Sequence, residues 1–349
     1  MVRLARAEVF APDEISVVHV MARVVRRCFL LGDDPLTRKN YDYRKLWIED
    51  GLQRLSAALG IVLICFAILS NHFHLVLRSR PDVVATWDDH EVARRWLMLC
   101  PVRKDADGRP LEPNDAELNA IRNDPQRVSC IRSRLSDISW WMRLLCQRIA
   151  MRANREDEEQ GKFFQSRFKA VRLLDETALL ACAAYVDLNP IRAALAETIE
   201  SSDHTSAQRR CQTLAAGQKG AQSPTPPDRM LSPVQIDELR DALGACPSKS
   251  PDRCSDRGFL AMSNLEYLQL LDWTARQIVD GKRGSTPEWI PPLISRLGLD
   301  VDVWCTLVGQ FGKLFHNVAG RPRTVDSRRS LGRRRRFHMR RQARELLTG

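Results

Sequence analysis

Ile61-Val62-Leu63-Ile64-Cys65-Phe66-Ala67-Ile68-Leu69-Ser70-Asn71-His72-Phe73-His74-Leu75-Val76-Leu77-Arg78 is the stretch on which the fold turns. Its first half is an apolar run rich in β-branched and aromatic residues, and it reads as a buried strand. Ser70 and Asn71 interrupt the run, and Leu75, Val76 and Leu77 carry a second one of strand length. In an extended chain residues i and i+2 share a face. His72 and His74 therefore project together, and Phe73 goes to the opposite, apolar side. Two imidazoles side by side on a sheet make half of a metal site. Taken alone, the pair equally fits polar residues on the exposed face of a sheet.

Upstream, residues 16–31 hold Val17, Val18, Val20, Val24, Val25 and Phe29 and read as a strand, broken by Gly32-Asp33-Asp34-Pro35. His19 within it suggests no role. Residues 43–59 place Leu46, Trp47, Leu52, Leu55 and Leu59 at helical spacing, with Gly60 suited to the helix end. The opening is thus strand, helix, strand, strand. Downstream, residues 79–130 are charged and broken by prolines, an insertion with short helices. Helical spacing resumes from Ile131 through Trp141, Leu145 and Ile149. Residues 161–174 read as a β-hairpin or strand pair, and residues 176–188 as a helix stopped by Asn189-Pro190. Strands and helices of this kind run through a first domain over residues 1–210. Residues 211–260 are linker-like in composition, with a helix expected from Ser232 to Gly244 (Ser232 as cap, Pro233 at the first position). Residues 261–327 form a small helical region, with helices over 264–279, 287–297 and 301–314. An arginine-rich tail occupies 328–349.

The 349 residues carry a formal charge of +11, which favours a polyanionic partner, nucleic acid before an anionic membrane. No apolar run reaches the roughly 18–20 residues of a membrane span, and the first ten residues have no signal-peptide pattern. The ten cysteines show no CxxC pair. Cys28, Cys65, Cys146 and Cys182 sit in apolar surroundings, so a reduced, cytoplasmic protein without membrane contact is expected.

The helix over 176–188 offers what the two imidazoles lack. Tyr185 and Asn189 are four residues apart and share a helix face. Each has a plain structural reading as well: a tyrosine ending a core helix, an asparagine before a proline as a helix stop. Packed beside His72 and His74, they would complete a set of two imidazoles, an amide oxygen and a phenol. A hard divalent cation held there polarises a phosphate and leaves positions for its oxygens. A tyrosine, with a reference pKa of about 10, needs such help to act as a nucleophile at neutral pH.

Three segments carry a family resemblance. Asn71-His72-Phe73-His74 resembles the His-hydrophobic-His motif of the HUH nucleases. Tyr185-Val186-Asp187-Leu188-Asn189-Pro190-Ile191-Arg192-Ala193 resembles the tyrosine segment of the IS200-like single-tyrosine (Y1) transposases, including the REP-associated group. Gly161-Lys162-Phe163-Phe164-Gln165-Ser166-Arg167-Phe168-Lys169 resembles the segment that precedes it there. The resemblance spans about residues 16–210, less 79–130. It implies an α+β fold, a ferredoxin-like antiparallel sheet with packed helices (the HUH nuclease domain), with the helical C-terminal region outside it. It also implies a Mg²⁺ or Mn²⁺ ion, single-stranded or hairpin DNA as substrate, and a monomer or homodimer. By the same resemblance His72, His74 and Asn189 are metal ligands, and Tyr185 is a nucleophile that forms a 5′-phosphotyrosine bond. Asp187 and Ser70 depart from the family, which often has histidine and proline there.

Lys162, Arg167, Lys169, Arg172, Arg192 and the tail residues Arg333, Arg334, Arg335 and Arg336 are candidate DNA contacts. The hairpin cations also suit a merely solvated face. The expected activity is that of a metal-dependent single-strand DNA endonuclease and strand transferase. Its rivals are a domesticated DNA-binding regulator that keeps the fold without catalysis, and a metal hydrolase that uses water.

Overall fold

The computed structural model describes residues 6–25, 28–218, 225–237, 244–278, 288–329 and 337–348. The first elements are α1 (Arg6–Val9), β1 (Val17–Arg23), α2 (Arg44–Ala58), β2 (Ile61–Ile68) and β3 (His72–Ser79). Short helices follow: α3 (Pro81–Ala85), α4 (Asp89–Leu99), α5 (Asp115–Arg122) and α6 (Pro125–Leu135). The long α7 (Ile138–Glu156), β4 (Lys169–Leu173), α8 (Glu176–Asp187), α9 (Asn189–Arg192) and α10 (Ser206–Gln218) come next. The C-terminal part holds α11 (Asn264–Ile278), α12 (Ile290–Arg296), α13 (Val301–Leu314), β5 (Val318–Ala319), α14 (Pro322–Arg329) and α15 (Arg341–Leu346).

The strands form one sheet in the order β2-β3-β1-β4-β5. β1 runs antiparallel to both β3 and β4, β2 is antiparallel to β3, and β5 lies parallel to β4, so the sheet is mixed. Helices cover both faces. One face buries Val18, Val20, Phe73, Leu75 and Leu77 against α2, α4, α6 and α7. The other buries Val62, Cys65, Ala67 and Val76 against α8, α11 and α13. This two-sided cover explains why β2 is apolar throughout, since a strand buried on both faces has no position for a solvated side chain. A one-residue bulge between Leu63 and Cys65 puts Ile64 and Cys65 on the same face.

Gly60, at the turn from α2 into β2, is fixed by space. A Cβ there would lie 2.0 Å from Val84 Cγ2, closer than any packed carbon pair.

Four expectations change. The strand expected over 16–31 ends at Arg23, with Val24 bridged to Phe164. Residues 161–174 do not fold back on themselves. Phe163 O and Gln165 N bond to Val25 N and Arg23 O, while Lys169–Leu173 pairs with Val17–Met21. Both halves thus extend along β1, whose free edge is long enough to take them, and 166–168 loop outward between. Residues 232–237, the described part of the helix expected from Ser232, are not helical. Ser232 N donates to Leu63 O at 2.8 Å, and pairing at the sheet edge overrides the local capping signal. The linker-like 211–260 stretch and the tail are packed where described: Leu231, Val234, Phe259 and Leu260 are buried, as are Phe337 and Met339.

Buried arginines bind the 225–262 segment to the sheet. Arg80 is fully buried and bonds Asp82, Ser255 Oγ at 2.6 Å and the Ala245 carbonyl. Arg210 donates to Ile64 O at 3.0 Å and to Ser232 O at 2.9 Å. Arg80→Ala is expected to cost roughly 2–3 kcal/mol, because it removes the buried guanidinium that joins Asp82, Ser255 and the Ala245 carbonyl. Urea denaturation measures it. A loss below about 1 kcal/mol would mean that the segment holds without this tie.

Candidate active site

The site forms where β3 crosses β1 beneath α8. His72 and His74 share a face of β3, with ring centroids 4.9 Å apart, and Phe73 packs on Phe164 on the other side. Met21 pairs with His74 across the ladder, so His19, two residues back on the same face of β1, lies diagonally beside it. The two rings stack at 5.0 Å and 11°, and His19 Nε2 is hydrogen-bonded to His74 Nδ1 at 2.8 Å.

Burial dominates the electrostatics. His19 and His72 are each held down to about 4, chiefly by desolvation, with the Arg23 charge adding to the effect on His72. His74 lies well below the ordinary histidine value for the same first reason, reinforced by His19, His72, Arg192 and Arg23. All three are neutral at pH 7. Asn71 Oδ1 accepts from His72 Nδ1 at 2.6 Å, so the lone pair of His72 is on Nε2. His74 Nε2 is buried with no hydrogen-bond partner. An orphaned buried nitrogen beside a second neutral imidazole fits a metal's requirement for lone-pair donors. His72 and His74 are the residues that would hold an ion here. Among the described residues no three His, Cys, Asp or Glu side chains converge as a full ligand set.

Tyr185 enters from α8, whose first turn is capped by Asp175 Oδ1 accepting from Ala178 N at 2.9 Å. Its ring meets His74 edge-on at 5.5 Å and His19 at 5.9 Å. The Arg192 guanidinium lies 4.6 Å over the ring and donates to Gly309 O at 2.6 Å. Burial raises the phenol's pKa, and the Arg192 charge opposes that rise. α13 closes over the hydroxyl: its helical pattern breaks at Gln310, and Phe311 stacks 5.7 Å from the Tyr185 ring. At Gly312 a Cβ would sit 2.8 Å from the Tyr185 hydroxyl, so a larger residue there displaces the phenol or the helix.

His19, His74, Tyr185, Arg167, Lys169 and Arg192 line a cavity of about 590 Å³. Other expected residues stand elsewhere. Asn189 is buried at the start of α9 and is not among the residues lining it. Lys162 is exposed outside it. Arg172 points to the opposite sheet face, as strand alternation from Lys169 and Val171 requires, and is ion-paired with Glu14. Arg333, Arg334, Arg335 and Arg336 lie outside the described residues. Asp187 turns away from the imidazoles and accepts from Tyr267 Oη at 2.7 Å, Ala207 N at 3.1 Å and Ser206 Oγ. It ties α8 to α10 and α11.

His19 and Arg23 were missed from sequence. The available signal was the period of two along β1, which sets His19, Met21 and Arg23 on one face.

No known protein family's profile matches the chain, and no curated protein matches it. Among solved structures it is similar to a REP-associated tyrosine transposase bound to a REP hairpin, over 58% of this chain and 81% of that one, at 10% identity and a TM-score of 0.33. A likeness that low decides neither fold nor activity. No described helix is long and apolar enough to cross a membrane.

Proposed function

We propose that the chain is a metal-dependent single-strand DNA endonuclease and strand transferase in which Tyr185 is the nucleophile. The observation that carries this reading is the meeting of the Tyr185 phenol with buried, neutral His74 in one cation-lined cavity. The strand order β4-β1-β3-β2, all antiparallel, with α2 between β1 and β2 and α3–α7 between β3 and β4, supports a ferredoxin-like frame.

In this reading Lys169 and Arg192 hold the phosphate oxygens. His72 and His74 would hold a Mg²⁺ or Mn²⁺ ion, which would supply polarisation of the scissile phosphate. The Tyr185 hydroxyl gives up its proton to solvent water, and its oxygen attacks phosphorus and forms a P–O bond. The O3′ leaves and takes up a proton, giving a 3′-hydroxyl and a 5′-phosphotyrosine. The reverse step rejoins a strand, because the phosphodiester energy is kept in the link. His72 and His74 stay neutral throughout and present lone pairs.

The raised pKa of Tyr185 and its cover by α13 favour a second reading, a DNA-binding regulator without catalysis. The test is incubation with a single-stranded hairpin and Mg²⁺ or Mn²⁺, followed by denaturing electrophoresis. A denaturation-resistant protein–DNA adduct that disappears with a chelator is expected. Binding without an adduct under either metal replaces the enzyme with the regulator.

A further inference from the structure

We propose that the C-terminal region is the second wall of a cleft for one strand of nucleic acid, with Lys313 and Arg340 as its phosphate contacts. This rests on single-stranded DNA as the ligand but not on its cleavage.

The cavity has two sides of separate origin. β1, β4, the 165–167 loop and α8–α9 supply one, with Arg23, Arg167, Lys169 and Arg192. The end of α13 and the residues after it supply the other, with Phe311, Lys313, Phe315, His316 and Arg340. Among the described residues Arg23, Arg167, Lys169, Arg192, Lys313 and Arg340 give the lining six cationic side chains, and no Asp or Glu is among them. Elsewhere arginines are commonly neutralised: Arg94 by Glu112, Arg103 by Glu117, Arg276 by Asp272. Lys313 and Arg340 are exposed, and neither has a carboxylate partner among the described residues. Positive charge gathered in a lining without carboxylates is the mark of a site for a polyanion.

The wall is built into the fold. β5 pairs with β4, Arg321 N donates to Asp175 Oδ2 at 2.6 Å, and Leu307, Val308 and Phe311 are buried beside α8. Arg340 donates to the Lys313 carbonyl, which sets both cations at one rim. Phe311 and Phe315, 4.8 Å apart and both buried, anchor this wall in the core. Both walls bound the same cavity of about 590 Å³.

The test uses full-length Tyr185→Phe protein, so that no chemistry intervenes. The affinity for a labelled single-stranded oligonucleotide is measured against salt concentration. Adding Lys313→Ala and Arg340→Ala is expected to lower affinity roughly tenfold at low salt and reduce the log–log salt slope by about 1.4, or ~0.7 per phosphate contact. A charge-matched control, Lys104→Ala with Arg109→Ala, changes two exposed cations outside the cavity and is expected to leave the slope alone. Circular dichroism checks that both variants are folded. The proposal is overturned if the wall variant behaves as the control does, or binds more tightly because the wall only covers the site. Equal loss on a fully paired duplex also overturns it. Absence of an adduct in the unmodified protein would remove the nuclease reading and leave this one standing.

Discussion

Tyr185→Phe is expected to abolish the covalent adduct, a fall of at least about 1,000-fold, since no other group takes over from a lost nucleophile. The change is small because the ring contacts do not depend on the hydroxyl, whose hydrogen bond with Arg192 is what is lost. His74, His19 and Phe311 meet the ring at 5.5, 5.9 and 5.7 Å, and Arg192 lies over its face. Phenylalanine keeps each of these contacts, and its stability cost is about 1 kcal/mol or less. DNA binding should survive. The same variant separates the rival chemistries. A water nucleophile would leave cutting intact without the phenol, so continued cleavage by Tyr185→Phe would sink the tyrosine mechanism and favour hydrolysis. Steric blocking gives an independent check at the same atom. In Gly312→Val a Cβ stands 2.8 Å from the hydroxyl, so either the phenol or α13 must move.

How much of this was legible in the sequence follows from the range of the interactions. The β2–β3 pair was readable because both runs are apolar and a period of two fixes the face of each residue; His72, Phe73 and His74 divide between the faces as alternation requires. Helices with strong local spacing fell within a residue or two of expectation, Arg44–Ala58 and Val301–Leu314 among them. What was not legible depends on register between distant segments. His19 has no motif around it, and its meaning comes from lying beside His74, 55 residues away. The contact of Gly312 with Tyr185 joins a part of the chain whose local pattern said only "helix" to the centre of the site. Ser232-Pro233 carries a helix-start signal, yet the Leu63 carbonyl takes the Ser232 amide and the chain stays extended. Asn189 shares spacing with Tyr185, but α8 ends at Asp187 and Asn189 starts a new short helix instead of continuing the old one.

Acid is expected to unfold the protein through its buried imidazoles well before its carboxylates titrate. A histidine whose folded pKa is lowered is neutral in the native state, while the unfolded chain binds a proton below about 6.5. In that window the unfolded state holds more protons, so stability falls as pH falls. For His19, held down to about 4 from 6.5, the full effect is about 3 kcal/mol at ~1.36 per pH unit. His72 adds in the same direction over the same window, and His74 follows. Together these rival a large share of the 5–15 kcal/mol typical of a whole domain. Glu49 and Asp82 are shifted the other way, below 4.5 and 3.8, and their contribution is lost only at lower pH. Asp187, raised by burial, works in the opposite sense, so the comparison with His19→Phe isolates the histidine contribution. Denaturant titrations from about pH 7 to about pH 5 should show stability dropping by about 2 kcal/mol or more. In His19→Phe, which keeps a flat ring stacked on His74 but has no titrating nitrogen, the slope should fall by up to about 1.4 kcal/mol per pH unit. His19→Phe will be less stable at pH 7, because His74 Nδ1 loses its partner; the slope, not the offset, is the diagnostic quantity. A flat profile in the unmodified protein, or an unchanged slope in His19→Phe, would mean that the imidazoles are not held neutral by burial, and would remove the physical ground for calling them ready metal ligands.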